Sequence, residues 1–273
     1  HCIVANSTIE GSEVRESGAA DGIHLWYSRY ITIRDNVVRG HRDGIYFEFV
    51  EDSVVEDNLS ENNLRYGLHF MFSDRCRYER NVFSDNGAGV AVMYTEHVDM
   101  IDNVFRRNWG SASYGLLLKE IDDSVLSGNE FVQNSVALYA EGSNRMTVED
   151  NTFEENGWAI KIMANAEDNI FSHNDFLRTS FDVSTNSRRA VSTFRENYWD
   201  QYDGYDLDRD GFGDVPHHPI RLFSIMVERD EPSLILLRSF FVDLMDAAER
   251  VLPVFTPEKF VDTSPSMHPW NRQ

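Results

Sequence analysis

Eight asparagines recur along this chain at nearly constant spacing: Asn36, Asn58, Asn81, Asn103, Asn129, Asn151, Asn174 and Asn197, with gaps of 22, 23, 22, 26, 22, 23 and 23 residues. A fixed period of that length signals a unit that stacks on copies of itself, and it restricts the fold before any local propensity is weighed. Two residues beyond each asparagine stands Val38, Ser60, Phe83, Phe105, Phe131, Phe153, Phe176 or Trp199. A second column is small (Gly22, Gly44, Gly67, Gly89, Gly115, Ala137, Ala159), and each member opens a run that alternates apolar with other residues. That alternation is the period of a half-buried strand. The pattern is clearest between Arg65 and Tyr94, where Gly67-Leu68-His69-Phe70-Met71 returns 22 residues later as Gly89-Val90-Ala91-Val92-Met93.

Neither a helix nor an antiparallel sandwich keeps two such columns in step over so many repeats. A parallel β-helix does, because each coil lies on the last at the ~4.8 Å strand spacing and equivalent residues stack. The sequence therefore predicts an all-β fold, a right-handed parallel β-helix of 22–23-residue coils, with a C-terminal α-helical segment. Asparagine suits a ladder of amides at a tight turn, and the phenylalanines suit an interior stack beside it. Three regions follow: the solenoid over 1–200, an Asp-rich loop over 201–219, and a helix and tail over 220–273. Asn6, with Ile3 before it, already fits the repeat, so upstream coils and an export signal are expected to precede His1.

Acidic residues number 46 against 25 basic ones, and only Lys119, Lys161 and Lys259 are lysines. A nucleic-acid partner would want a basic face and is excluded. Scarce lysine with abundant carboxylate fits a salt-adapted surface, and also an ordinary acidic secreted protein. Cys2 and Cys76 fall three coils apart, about 14 Å at the strand spacing, beyond disulfide reach. Cys76 shares a column with Ile31, Val98 and Met146 and is expected to be buried.

Residues one and three after the small position are apolar and point inward, so residues two and four after it point outward. One outward column reads His24, Tyr46, His69, Ala91, Leu117, Tyr139, Lys161, and the other Trp26, Glu48, Met71, Met93, Lys119, Glu141, Met163. Solvent-facing sheet positions seldom gather Met, Trp and His in adjacent coils. His69, Met71 and Met93, with His24 and Glu48 from the coils before, are candidate ligands, since thioether and imidazole together select a soft ion such as Cu(I). The other use that fits is an apolar patch covered by a loop or partner.

Beyond the coils, Asp206, Asp208, Asp210 and Asp214 stand at positions one, three, five and nine of a calcium-loop pattern, with Gly211 at six and His217 where an EF-hand carries its bidentate Glu. An acidic turn without an ion fits the same residues. From Pro232 to Leu252 the period becomes helical, with a wide apolar face including Leu234, Leu237, Phe240, Phe241 and Leu244. Such a face caps the open end of a solenoid, and with the proline-rich tail after it offers a docking segment.

The strings YGLHFMFSD, NGAGVAVMY, NYWDQYDGYDLDRDGFGDVPHHP and VERDEPSLILLRSFFVDLMDAAERVLP together resemble the NosD family, accessory proteins of nitrous oxide reductase maturation. The resemblance runs over nearly the whole chain and is most specific where the helix follows the Asp-rich loop. It implies an exported, periplasmic, non-enzymatic β-helix that handles copper for the reductase's copper-sulfide centre. It implies as partners the membrane and ATPase subunits of an ABC transporter, the reductase, and a copper-delivering lipoprotein. It favours His69, Met71 and Met93 as copper ligands and places transporter docking on the C-terminal helical region, with Leu237, Phe240, Phe241 and Leu244 as its contacts. Two other functions fit a β-helix: a polysaccharide lyase or epimerase using His24, Tyr46, His69 and Lys119, and a calcium-stabilised surface solenoid. A glycosidase needs two carboxylates about 5–9.5 Å apart, whereas Glu48 and Glu141 are four coils apart, roughly 19 Å.

Overall fold

Three parallel sheets run the length of the molecule. The computed structural model describes residues 1–12, 18–163, 165–186, 192–229, 239, 245 and 260–271. Each coil contributes one strand to each sheet, so the sheets hold nine, nine and eight strands in strict sequence order. The first sheet runs from Cys2–Ala5 to Ser192–Arg195, the second from Thr8–Glu10 to Tyr198–Trp199, and the third from Ile23–Arg29 to Phe181–Thr185. The chain is a parallel β-helix, as the two columns require.

The corners between sheets are made by single residues in the left-handed region. Asp35, Asp57, Arg80, Asp102, Asp150, His173 and Glu196 precede the asparagine column at φ of 51–57°. Each such turn is disfavoured by about 1–2 kcal/mol for a residue with a Cβ. The amide ladder beside it offsets that cost. In the ladder the Oδ1 of Asn103 accepts from both the backbone N–H (3.0 Å) and the Nδ2 (3.1 Å) of Asn81, while the Nδ2 of Asn103 donates to the carbonyl of Tyr78 at 3.0 Å. Every buried amide is thereby satisfied from the neighbouring coils.

A second amide ladder, not read from the sequence, runs along another corner. Asn63, Asn86, Asn108, Asn134 and Asn156 are buried and bonded in the same way, for example from Asn63 N to Asn86 Oδ1 at 2.9 Å and from Asn108 Nδ2 to Asn134 Oδ1 at 3.0 Å. Its signal was in plain view as asparagine five residues after the first column, in NVFSDN, NVFRRN, NEFVQN and NTFEEN. Between the ladders the rings of Phe105, Phe131, Phe153, Phe176 and Trp199 stack at centroid distances of 4.6, 4.9, 5.0 and 4.0 Å. The small column exists because coils touch there. A Cβ added at Gly67 would meet the carbonyl oxygen of Gly89 at 2.7 Å. Cys76 is buried and both cysteines are free.

The C-terminal end is closed by the chain's own tail. Asp262, fully buried, takes the next rung of the first ladder: its Oδ2 accepts from Asn197 N (3.0 Å), Asn197 Nδ2 (3.1 Å) and Trp199 Nε1 (3.1 Å), and its Oδ1 from Glu196 N (3.1 Å). Trp270 then packs on His173 with the rings tilted and their centroids 4.6 Å apart, and the backbone N–H groups of Trp270 and Asn271 donate to the Asp175 carboxylate. Over 260–271 the tail is seated on the solenoid. A helix, α1 (Leu222–Arg229), lies ahead of the one expected from Pro232. Its Phe223 and Val227 pack with Phe181, and Trp158 and Met245 join them. The expected helix over 232–252, with Leu237, Phe240, Phe241 and Leu244, lies outside the described residues apart from Ser239 and Met245.

Candidate metal site on the outward face of the third sheet

Strand register sets the two outward columns side by side. In one row Glu48 pairs with Met71, Met71 with Met93, and Met93 with Lys119. In the other, His24 pairs with Tyr46, Tyr46 with His69, and His69 with Ala91. His69 and Met71 lie two residues apart on the strand Tyr66–Met71 and share its outer side. His69, Met71, Met93 and Glu48 are thus brought together by three adjacent strands, with no loop involved.

His24 is set apart from them. The Tyr46 ring is interposed, with centroids 4.6 Å from His24 and 4.8 Å from His69. The two imidazoles stand two strands apart, about 9.6 Å, so they cannot hold one ion together. Met163, three coils beyond Met93, is buried at 6 % exposure. Trp26, 62 % exposed, borders the row without covering it.

Although it faces outward, His69 is only 5 % exposed. The Tyr46 ring stacks on one side, the Tyr66 ring lies tilted at 4.8 Å, and the Asp43 carboxylate meets Nδ1 at 3.2 Å. Its Nε2 is buried and has no hydrogen-bond partner among the described residues. A buried nitrogen left without a partner costs about 1–3 kcal/mol, which a ligand at that atom would recover. The Tyr46 hydroxyl donates to the Met71 sulfur at 3.6 Å, so that thioether already faces a polar donor. Burial, followed by the charges of Glu48, Asp21 and Asp43, raises the Tyr46 pKa and keeps the phenol protonated.

Asp43, absent from the sequence-derived set, organises this corner. It is fully buried, and Arg65 grips it through Nε to Oδ1 at 2.8 Å and through Nη2 to Oδ2. Burial works to raise its carboxyl, but the hydrogen bonds from Arg65 and His69 outweigh that and hold it below the ordinary carboxylate range. Only coils one and two carry Asp before the small residue, and the later coils carry Tyr66, Ala88, Tyr114, Val136 and Trp158. A feature shared by two coils only is too short to read as a column.

In the Asp-rich loop, ligand atoms of Asp206, Asp208 and Asp210 lie within 4.8 Å of one another. This is the one such group of imidazole, thiol or carboxylate ligands among the described residues. The loop folds around Tyr202, whose hydroxyl donates to the carbonyl of Val215 at 2.7 Å, and a Cβ at Gly204 or Gly213 would strike that hydroxyl oxygen at 2.0 Å. Gly211 takes φ +95°, and Asp214 accepts from Leu207 N at 2.6 Å. The Asp210 N–H lowers the Asp208 carboxyl, yet repulsion from Asp210, partial desolvation and the charges of Asp214 and Asp206 together exceed it and leave the pKa raised. His217 does not join them. It packs, tilted, against Trp199 at 4.9 Å in the end cap, where burial pushes its imidazole down to about 3.

A repetitive parallel β-helix with an outward thioether and imidazole row is a scaffold that presents side chains from its sheet face. The chain belongs to the NosD family, described as periplasmic copper-binding protein, which matches residues 5–204. It is 30 % identical over 178 residues to a probable ABC transporter binding protein NosD of Pseudomonas aeruginosa, covering 59 % of this chain and 42 % of that protein. The protein of the same name from Stutzerimonas stutzeri is 29 % identical over 148 residues, covering 53 % and 33 %. The chain therefore spans a third to two fifths of the length of these relatives. In fold it resembles the A-module of a mannuronan C-5 epimerase from Azotobacter vinelandii, at a TM-score of 0.56 and 14 % identity over 62 % of this chain and 53 % of that one.

Proposed function

We propose that this protein binds Cu(I) through His69, Met71 and Met93, with Glu48 beside them, and serves in the periplasm as an accessory for building the copper-sulfide centre of nitrous oxide reductase. The observation that carries the reading is the buried, unpartnered Nε2 of His69 next to two register-paired thioethers. Imidazole with thioether is a donor set for a soft, monovalent ion. The names of the relatives support work alongside an ABC transporter. Its membrane and ATPase subunits, the reductase and a copper-delivering lipoprotein are the partners we assign. Transporter docking is placed on the C-terminal region, and Phe240→Asp with Phe241→Asp is expected to abolish co-purification with the transporter. Undiminished co-purification would move the contact elsewhere.

No turnover is assigned to this chain. The lyase or epimerase set does not converge, since Lys119 pairs with Met93, two strands beyond His69, and its Nζ lies 3.9 Å from Glu141. An anaerobic Cu(I) titration against a competing chelator tests the main reading. One equivalent bound in competition supports it, and absence of binding together with turnover of a uronate polymer would replace it.

We further assign calcium to Asp206, Asp208, Asp210 and Asp214. Added calcium is expected to raise the melting temperature of the wild type and to leave Asp208→Asn, Asp210→Asn unchanged, with Cu(I) binding the same in both. A calcium-insensitive wild type removes that ion from the loop.

A further inference from the structure

The outward face repeats an Asp–Arg pair that the ligand set alone leaves unexplained. Asp43 and Asp21 occupy equivalent positions in successive coils, and each is gripped by the arginine one coil on. Arg42 holds Asp21 with bonds of 3.1 and 3.0 Å, and the His24 Nδ1 stands 3.6 Å from that carboxylate on an exposed ring. On Asp43's own coil the counterpart of His24 is Tyr46, and the histidine that meets Asp43 comes from the next coil: the Nδ1 of His69 lies 3.2 Å away, and both side chains are buried. One histidine is held by its carboxylate; the other is loose.

We propose that the Asp43–Arg65 pair is a positioning device that fixes His69 as its Nδ1–H tautomer and leaves the Nε2 lone pair bare for a soft cation. The role of that lone pair rests on the copper reading. The tautomer does not. A carboxylate whose two oxygens both accept from a guanidinium has no proton to give, so the hydrogen shared with His69 must come from Nδ1. In the neutral ring the lone pair then belongs to Nε2, the atom found buried without a partner. Stacking on Tyr46, with Tyr66 on the flank, opposes a flip of the ring that would put Cδ2 in place of Nδ1 against Asp43. Carboxylates support metal-binding imidazoles in this way, and losing one weakens metal binding by about 10–100-fold.

The experiment begins on the metal-free, 15N-labelled wild type at a pH of about 8, above the ordinary imidazole range. A long-range 1H–15N spectrum, assigned with His69→Gln, is expected to show His69 protonated at Nδ1 and bare at Nε2, with His24 a mixture. In Asp43→Asn the amide cannot accept from both Arg65 hydrogens and from Nδ1–H, because one of its two heads is now a donor. That variant is expected to lose the tautomer preference and to bind Cu(I) about 10–100-fold more weakly, while Asp21→Asn changes neither. An Nε2–H tautomer in the wild type overturns the proposal, even if Asp43→Asn does not fold. So does an Asp43→Asn protein that keeps both tautomer and affinity. If the tautomer shifts as expected and neither protein binds Cu(I), the positioning role stands and the copper reading falls.

Discussion

Replacing Asp262 with alanine is expected to lower the unfolding free energy by about 4 kcal/mol, from several buried donors at about 1–3 kcal/mol each with partial repair by water. The donors left behind are the backbone N–H groups of Glu196, Asn197 and Ser264, the Asn197 amide and the Trp199 indole. An interior substitution such as Asn103→Ala strands only the two donors of Asn81, and neighbouring coils hold it from both sides. Asp262→Asn should fall between alanine and wild type. Its oxygen can serve the Asn197 and Trp199 side, but its NH2 then faces the N–H groups of Glu196 and Ser264. In a solenoid, stability passes from coil to coil, so loss of the cap frays the end first. Denaturant midpoints at unchanged slope would measure this, and an alanine variant within about 1 kcal/mol of wild type would show that Asp262 does not terminate the ladder.

The double variant Met71→Ala, Met93→Ala is expected to reduce Cu(I) affinity by more than about 100-fold, beyond the range of an outer-shell change, with little change in melting temperature. Both side chains stand on the outer side of the sheet and are only partly buried, so the core stacks do not depend on them. Removing one sulfur leaves His69 and a single thioether, and removing both leaves an imidazole beside Glu48, which is a poor set for a monovalent soft ion. His24→Ala should leave the affinity unchanged, because Tyr46 separates it from the row. Tight binding that survives the double substitution would put copper elsewhere on the chain.

Much of this molecule was legible in its periods. Residues that recur at 22–23-residue intervals must stack, and the asparagine and small columns specified a parallel β-helix and the facing of each strand. The second amide ladder was equally periodic and was passed over because one column already explained the turns. The outward row followed from alternation alone. That His24 stands two strands from His69 was a matter of counting coils, whereas the ring between them needed coordinates. Features without a period stayed hidden. Asp43 meets His69 from 26 residues away and Asp262 meets Trp199 from 63, with no repeat to announce either contact. The helix α1 (Leu222–Arg229) has only about two turns of pattern ahead of the stronger helical period after Pro232, and the sequence does not mark it.

The register that pairs Met71 with Met93 also has a bearing on how such a site could arise and change. The spacing of the two sulfurs is inherited from backbone bonds such as Phe72 N to Met93 O at 3.1 Å, which hold whatever side chains the row carries. A solenoid is a ruled surface whose every line is an equivalent address. Moving a donor pair one coil along takes two point substitutions and disturbs neither ladder, so affinity, access and position along the axis can be varied separately on an unchanged frame.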